Sequence, residues 1–208
     1  MENKAIIGLV LVVVSAFLLF ISLIRKREAF FNIRETVCEH LKVFKHCPSK
    51  YLIFYVFPLG FSVGLSMIYE AGERFYSELS VVLGIILSML FAILSILTAQ
   101  DYSDISDPNQ KNLANKVLKQ TTNAIVFDSI LSLSLMLYGL VIIVLSGVKT
   151  IEIPFDLTIV KSIVAGVAYY IFTIILLNLL FIVKQMSKII SFNIEVKNIG
   201  EKNQNDKN

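Results

Sequence analysis

The chain has 208 residues, of which 56% are hydrophobic, and its mean hydropathy is +0.73. Soluble domains contain about 45–50% apolar residues, so this composition excludes an ordinary soluble protein. The formal net charge of +3 is small, and the placement of the basic residues is more informative than their sum.

Five apolar runs without charged residues predict the architecture. They cover residues 5–24, 51–69, 79–99, 129–148 and 162–183. A bilayer core about 30 Å thick needs about 20 helical residues to cross it. We therefore predict an all-α, polytopic transmembrane helix bundle, in which an N-terminal anchor is followed by two hairpins. The predicted spans lie at about 5–24, 51–69, 79–99, 125–148 and 162–183, in a single membrane domain that covers residues 1–208.

The first span is predicted to be a retained anchor. Its apolar run exceeds the about 7–15 residues of a signal peptide, and its basic residues follow the run instead of preceding it. Lysine and arginine stay on the cytoplasmic side, and here they concentrate after span one, before span four and in the tail. These positions predict an inner (plasma) membrane protein with its N-terminus outside and its C-terminus in the cytosol.

Residues 28–46 are predicted to form a cytosolic amphipathic helix. Apolar residues recur every three or four positions from Phe30 to Phe44, which is the helical period. Such a helix either lies in the lipid headgroups or packs on the cytosolic ends of the spans. The predicted surface for lipid or a partner comprises Arg25, Lys26, Arg27, Arg34, Lys42 and Lys45.

This segment also contains the chain's two cysteines and two histidines, Cys38, His40, His46 and Cys47. Thiolates and imidazoles are zinc ligands, but the spacing differs from that of familiar zinc modules. We expect reduced surface side chains, and the alternatives are a metal site within one chain, a site shared between subunits, and a redox role. Asp101, Asp104 and Asp107 do not follow a calcium-loop pattern and are predicted to lie in a solvated loop.

Small residues predict how the spans pack. In lipid, helices associate through close backbone contact and interhelical hydrogen bonds, so small residues line the contacts. The predicted packing positions are Gly60, Gly64, Gly84, Ser88 and Gly166. They fit packing within one chain or between chains, and we expect a homo-oligomer. Pro58 removes a helix hydrogen bond and is predicted to kink span two.

Two polar residues of the spans are candidates for function. Ionisable residues inside a span are functional hypotheses by default, which singles out Asp128. The alternative places it among the headgroups at the start of span four, where it favours the helix dipole. Asn178 lies deep in span five, and its alternative role is an interhelical hydrogen bond.

The segments flanking the last two spans are predicted to be helical. Residues 111–122 form a helix that runs directly into span four, and the helix of span five continues beyond Lys184. The tail over 197–208 has little to bury and is predicted to be disordered. No catalytic motif, paired carboxylate site or phosphate-binding loop is present in the sequence. We therefore expect no enzymatic activity, no cofactor and no metal.

The chain resembles the membrane subunit of Kiwa anti-phage defence systems. The resemblance is carried by the short basic loop after an anchor, the hairpin over 51–99 and the connector over 118–127, LKQTTNAIVF, which leads into span four. It implies a membrane sensor of phage attack that signals through its cytosolic face to a DNA-binding partner. It assigns no role to any individual residue.

Three functions compete at the level of sequence. The first is a non-enzymatic sensor or effector in antiviral defence, docked to a cytosolic protein through residues 25–50, 100–123 and 184–196. The second is an oligomeric pore-forming or ion-channel-like protein, and the third is an accessory subunit of a transporter. In each case the expected contacts are membrane lipids, other copies of the chain or a protein partner, and no direct nucleic-acid contact.

Overall fold

The structure, a computed structural model, describes Val14 and residues 52–69, 71–99, 108–147 and 157–205, with no side-chain description for 109, 110, 147, 157, 158 and 193–205. All regular structure in these ranges is helical. The α-helices are α1 (Phe57–Ile68), α2 (Glu73–Thr98), α3 (Pro108–Gly147) and α4 (Leu157–Asn205), and a π-helical turn over Leu52–Val56 precedes α1. Apart from Val14, the first predicted span and the amphipathic helix over 28–46 lie outside the described residues.

Three helical segments are long and apolar enough to cross a membrane. They are Glu73–Thr98, Lys111–Ser146 and Ile159–Phe192, and they correspond to the third, fourth and fifth predicted spans. The second predicted span is the shorter apolar helix Leu52–Ile68. The helical class and three membrane-length helices are thus confirmed, whereas five spans are not.

The proline of the second predicted span lies at a change in helix type. Pro58 is in the first turn of α1, directly after the five-residue π-helical turn Leu52–Val56. Proline has no backbone N–H and its ring crowds the carbonyl one turn earlier. A wider π turn before it accommodates this crowding.

The last two helices are far longer than the apolar runs they contain. α3 has 40 residues and includes the predicted cytosolic helix over 111–122 without a break, as expected. α4 has 49 residues and is helical to Asn205, so the prediction of disorder over 197–208 differs from the structure up to that residue. A helix that is already nucleated gains one hydrogen bond for each residue added, and no proline interrupts this segment.

The order of packing differs from the order of the chain. α1 packs on α4, α4 on α3, and α3 on α2. The second predicted hairpin, α3 with α4, is therefore present, but the first is wrong, because α1 and α2 form no comparable interface. In the linker between α1 and α2, Tyr69 and Gly72 have extended backbones. An extended linker of a few residues is long enough to cover the distance of about 8–10 Å between the axes of neighbouring helices. The linker therefore allows α1 to pack on α4 instead of on α2.

Heptad repeats of apolar side chains form the core. On α2 the buried residues include Tyr76, Leu83, Leu90 and Leu97, and on α4 they include Ala168, Ile175, Ile182 and Ile189. Residues seven apart lie on one face of a helix, which suits the small crossing angles of long helix pairs. Leucine, isoleucine, valine and phenylalanine side chains cover much of the outside of the bundle, as lipid contact requires.

The small residues of the spans behave differently from one another. A Cβ at Gly166 of α4 would lie 3.5 Å from Ser66 Oγ of α1, so this glycine is at a close helix contact as predicted. A Cβ at Gly60, Gly64 or Gly84 would meet nothing within 4 Å. None of the described helices packs closely on these three glycines, whose role in packing, within the chain or between chains, stays a prediction. α1 instead presents the neighbouring row, in which Ser62 is buried, and Ser88 of α2 is exposed.

We expect Gly166→Leu to destabilise the bundle by about 1–3 kcal/mol, because the larger side chain must displace Ser66. The matched control is Gly64→Leu, whose site is open. Unfolding of both purified variants in detergent by denaturant titration provides the comparison. Equal loss of stability in the two would contradict the packing of α1 against α4.

Candidate functional site

Buried polar side chains lie along α3 and α4, and one pair of them meets at the contact between the two helices. This polar seam consists of Thr121, Asp128, Ser129 and Ser132 of α3 with Asn178 and Gln185 of α4, all buried. Thr121 and Asp128 are seven residues apart, as are Asn178 and Gln185, so each pair occupies one helix face. The seam interrupts an otherwise apolar core.

The two helices run antiparallel, and two hydrogen bonds fix their alignment. Asn178 Nδ2 donates to Asp128 Oδ1 at 2.9 Å. Further along α3, the Tyr138 hydroxyl donates to the carbonyl oxygen of Val164 at 2.9 Å. Thr121 and Gln185 consequently lie on the same side of the Asp128–Asn178 pair, each about 10 Å along its helix axis.

The Asp128–Asn178 pair is sealed inside the protein. Asp128 is 0% exposed and Asn178 is 1% exposed. Asp128 faces α4 within the bundle, and α3 begins at Pro108, so the side chain does not lie at a helix N-terminus as the alternative expected. The expected interhelical hydrogen bond of Asn178 is confirmed, and its acceptor is the other candidate residue.

Several oxygens of the seam have no hydrogen-bond partner among the described residues. They are Asp128 Oδ2, Ser129 Oγ, Ser132 Oγ, Asn178 Oδ1 and Gln185 Oε1. Leaving a buried polar atom unpaired costs roughly 1–3 kcal/mol, and most proteins contain few such atoms. By contrast, the Thr121 hydroxyl donates to its own helix, at the carbonyl oxygen of Val117. The seam is thus a concentration of unmet hydrogen-bonding capacity.

The sequence singled out only two of the six residues of the polar seam. Asp128 and Asn178 stood out because acid and amide groups are rare inside spans. Ser129, Ser132, Thr121 and Gln185 were missed, since serine and threonine commonly bond to their own helix in lipid. The available signal was the heptad spacing of Thr121 with Asp128 and of Asn178 with Gln185. Gly139, where a Cβ would lie 3.6 Å from Tyr76 Cβ, was also missed.

The remaining predicted sites are not brought to this seam by the described structure. Arg25, Lys26, Arg27, Arg34, Lys42 and Lys45 lie outside the described residues, as do the four cysteines and histidines and the three loop aspartates. Within the described ranges, no three His, Cys, Asp or Glu side chains gather as a possible metal site.

Comparison with known proteins gives no further guide. No family model, curated protein or solved structure matches the chain.

We expect Asn178→Ala to destabilise the bundle by about 1–3 kcal/mol, because it leaves the Asp128 carboxyl buried without a partner. Asn115→Ala is the matched control, since Asn115 is an exposed asparagine of α3. Exchanging the two groups, Asp128→Asn with Asn178→Asp, should recover most of the loss. Denaturant titration in detergent measures the free energy of unfolding of the two single variants and the double exchange. If Asn178→Ala leaves this free energy unchanged, the pair does not contribute to stability.

Proposed function

We propose that this chain is a multi-pass inner-membrane protein and a non-enzymatic sensor or effector of a bacterial antiviral defence system, acting with a cytosolic protein partner. The supporting observation is that α3 and α4 continue, without a break, from membrane-length apolar segments into a shared basic extension. The defence role is supported by the sequence resemblance to Kiwa membrane subunits.

The lengths of the two helices require such an extension. At 1.5 Å per residue, α3 with 40 residues spans about 60 Å and α4 with 49 residues spans about 74 Å. A bilayer core is only about 30 Å thick. Since the helices are antiparallel, the start of α3 and the end of α4 project from the same side of the membrane.

These projecting parts form a paired stalk, defined here as residues 108–120 of α3 and 184–205 of α4. Ala114 and Ile189 are buried within it, so the two helices remain in contact beyond the apolar segments. A cleft of about 420 Å³ runs between them, lined by Leu113, Val117, Ser187, Ser191 and Phe192 among others. Movement of α3 against α4 in the membrane would therefore reach the stalk directly.

The stalk is positively charged. Its described side chains include no Asp or Glu, and they include five lysines, Lys111, Lys116, Lys119, Lys184 and Lys188. Such a cluster favours a cytosolic position and complements an acidic protein surface, which steers association. The stalk is thus the proposed docking surface for the partner.

A cavity at the opposite end of the bundle is suited to receiving the stimulus. It has a volume of about 360 Å³ and is lined by residues of all four helices, including Ser66, Tyr76, Ile142 and Ser162. Glu73 and Lys161 supply one charge of each sign. In the proposed orientation it opens to the outside, at the other end of the helices that form the stalk.

We expect the triple variant Lys116→Glu, Lys184→Glu and Lys188→Glu to reduce recovery of the cytosolic partner by on the order of tenfold. The introduced glutamates would repel the acidic surface of the partner instead of attracting it. Co-purification from native membranes, with partners identified by mass spectrometry, provides the measurement. Lys161→Glu, at the opposite end, is the control. A reporter fused after Asn208 checks that the variant retains its orientation, and unchanged recovery with retained orientation would refute docking on the stalk.

One observation favours a second candidate, an oligomeric pore-forming or ion-channel-like protein. Among the described residues, a Cβ at Gly60 of α1 or Gly84 of α2 would meet nothing within 4 Å, and Ser88 of α2 is exposed. Small residues on lipid-facing helices permit close approach of another helix. An assembly of several copies would bury them.

If the chain forms such a pore, reconstituted vesicles should release a trapped dye, and Gly84→Leu should abolish that release by blocking close approach. Gly64→Leu on α1 is a comparison variant that tests whether the α2 face is specific. Vesicles that contain the protein and retain the dye would rule out this candidate and leave the sensor proposal unaffected.

A further inference from the structure

The Asp128–Asn178 pair has a hydrogen-bonding pattern that one proton would complete. Asn178 Nδ2 already donates to Asp128 Oδ1. The second oxygen of each group, Asp128 Oδ2 and Asn178 Oδ1, is buried and has no hydrogen-bond partner in the part of the chain that the structure describes. A carboxylate only accepts hydrogen bonds, whereas a protonated carboxyl group also donates one. A carboxylic acid and a primary amide can therefore form two antiparallel hydrogen bonds.

Among the described residues, no Lys or Arg lies close to Asp128 along its own helix or is recorded in contact with its carboxyl group. On α2, no titratable residue occurs between Glu78 and Thr98. On α3 the nearest titratable residues are Lys119 and Tyr138, each at least nine residues away. On α4, Lys184 is exposed, six residues beyond Asn178, and Tyr169 and Tyr170 lie eight or nine residues before it. Along the described parts of α3 and α4, the charged residues nearest in sequence to the pair are thus Lys119 and Lys184 of the stalk.

An ionised carboxylate in this position would be costly. A buried charge without a partner loses its hydration, and such a group commonly becomes neutral instead. Here Asp128 Oδ2 and Asn178 Oδ1 would also both remain buried acceptors without a donor among the described residues. Protonation removes both penalties, because the added hydrogen satisfies both oxygens with one bond.

We propose that Asp128 and Asn178 form a proton-binding site, in which Asp128 Oδ2 carries the proton and donates it to Asn178 Oδ1. The site binds one proton from water and releases it to water, with no other reactant. It joins α3 to α4 directly below the stalk, since Asp128 lies eight residues from Gln120, about 12 Å along the helix. This inference does not depend on the role in defence.

Release of the proton has a structural consequence. It leaves a buried negative charge and two unpaired acceptor oxygens, so the helices separate at this level and admit water. Because the stalk continues the same two helices, the separation changes how the stalk halves meet. The site therefore couples proton occupancy inside the membrane to the shape of the cytosolic surface.

Infrared spectroscopy of the full chain in lipid nanodiscs tests the proposal. At neutral pH we expect the carbonyl band of one protonated, hydrogen-bonded carboxyl group, which is absent from Asp128→Asn and disappears at alkaline pH. Asn178→Leu should move the band to higher frequency, because the acid loses its acceptor. Ser88→Ala, an exposed serine bonded only to its own helix at Gly84, should leave it unchanged.

Asp128→Asn should fold, because its amide can replace both hydrogen bonds of the protonated acid. If it does not, carbon-13 labelling of aspartate in the unsubstituted chain identifies the band by its isotope shift. A spectrum without this band at neutral pH overturns the proposal. So does a carboxylate band at this site that depends on sodium, since it would identify a metal cation as the ligand.

Discussion

The hydrogen bond from Asn178 to Asp128 is the constraint around which the described bundle is organised. Apolar side chains gain little by leaving lipid for a helix interface, so apolar packing alone specifies the alignment of two membrane helices weakly. A buried acid and a buried amide have few acceptable positions, because each needs a partner. Their meeting at 2.9 Å selects one register of α3 against α4, and the heptad rows of the core follow from it.

That register has consequences at both ends of the molecule. Toward one end it places the Tyr138 hydroxyl at the carbonyl oxygen of Val164. Toward the other it brings Ala114 and Ile189 into the contact that holds the stalk together. The cavity beside Ser66 and Tyr76, the polar seam and the basic stalk therefore follow one another along the same antiparallel pair of helices.

Sequence reasoning succeeded where composition along one helix decides the outcome. The apolar runs predicted α2, α3 and α4, and the periodicity over 111–122 predicted the extension of α3. It failed where the choice lay between faces of a helix. Gly60 and Gly64 suggested a packing row, but α1 uses the face that carries Pro58 and Ser62. Several faces of a membrane helix are apolar or small, so no single-helix pattern distinguishes the one that is buried.

The sequence by itself determined that the described chain is helical and that three of its segments are long and apolar enough to cross a membrane. The physical reason is that a bilayer sets the length of a span and requires its backbone hydrogen bonds to be satisfied within a helix. It also determined that Asp128 and Asn178 are exceptional. Only the tertiary structure decided that α1 packs on α4, and that the two polar residues meet each other. Those outcomes depend on which helices become neighbours, and neighbours are chosen by complementary surfaces on separate segments that no local pattern contains.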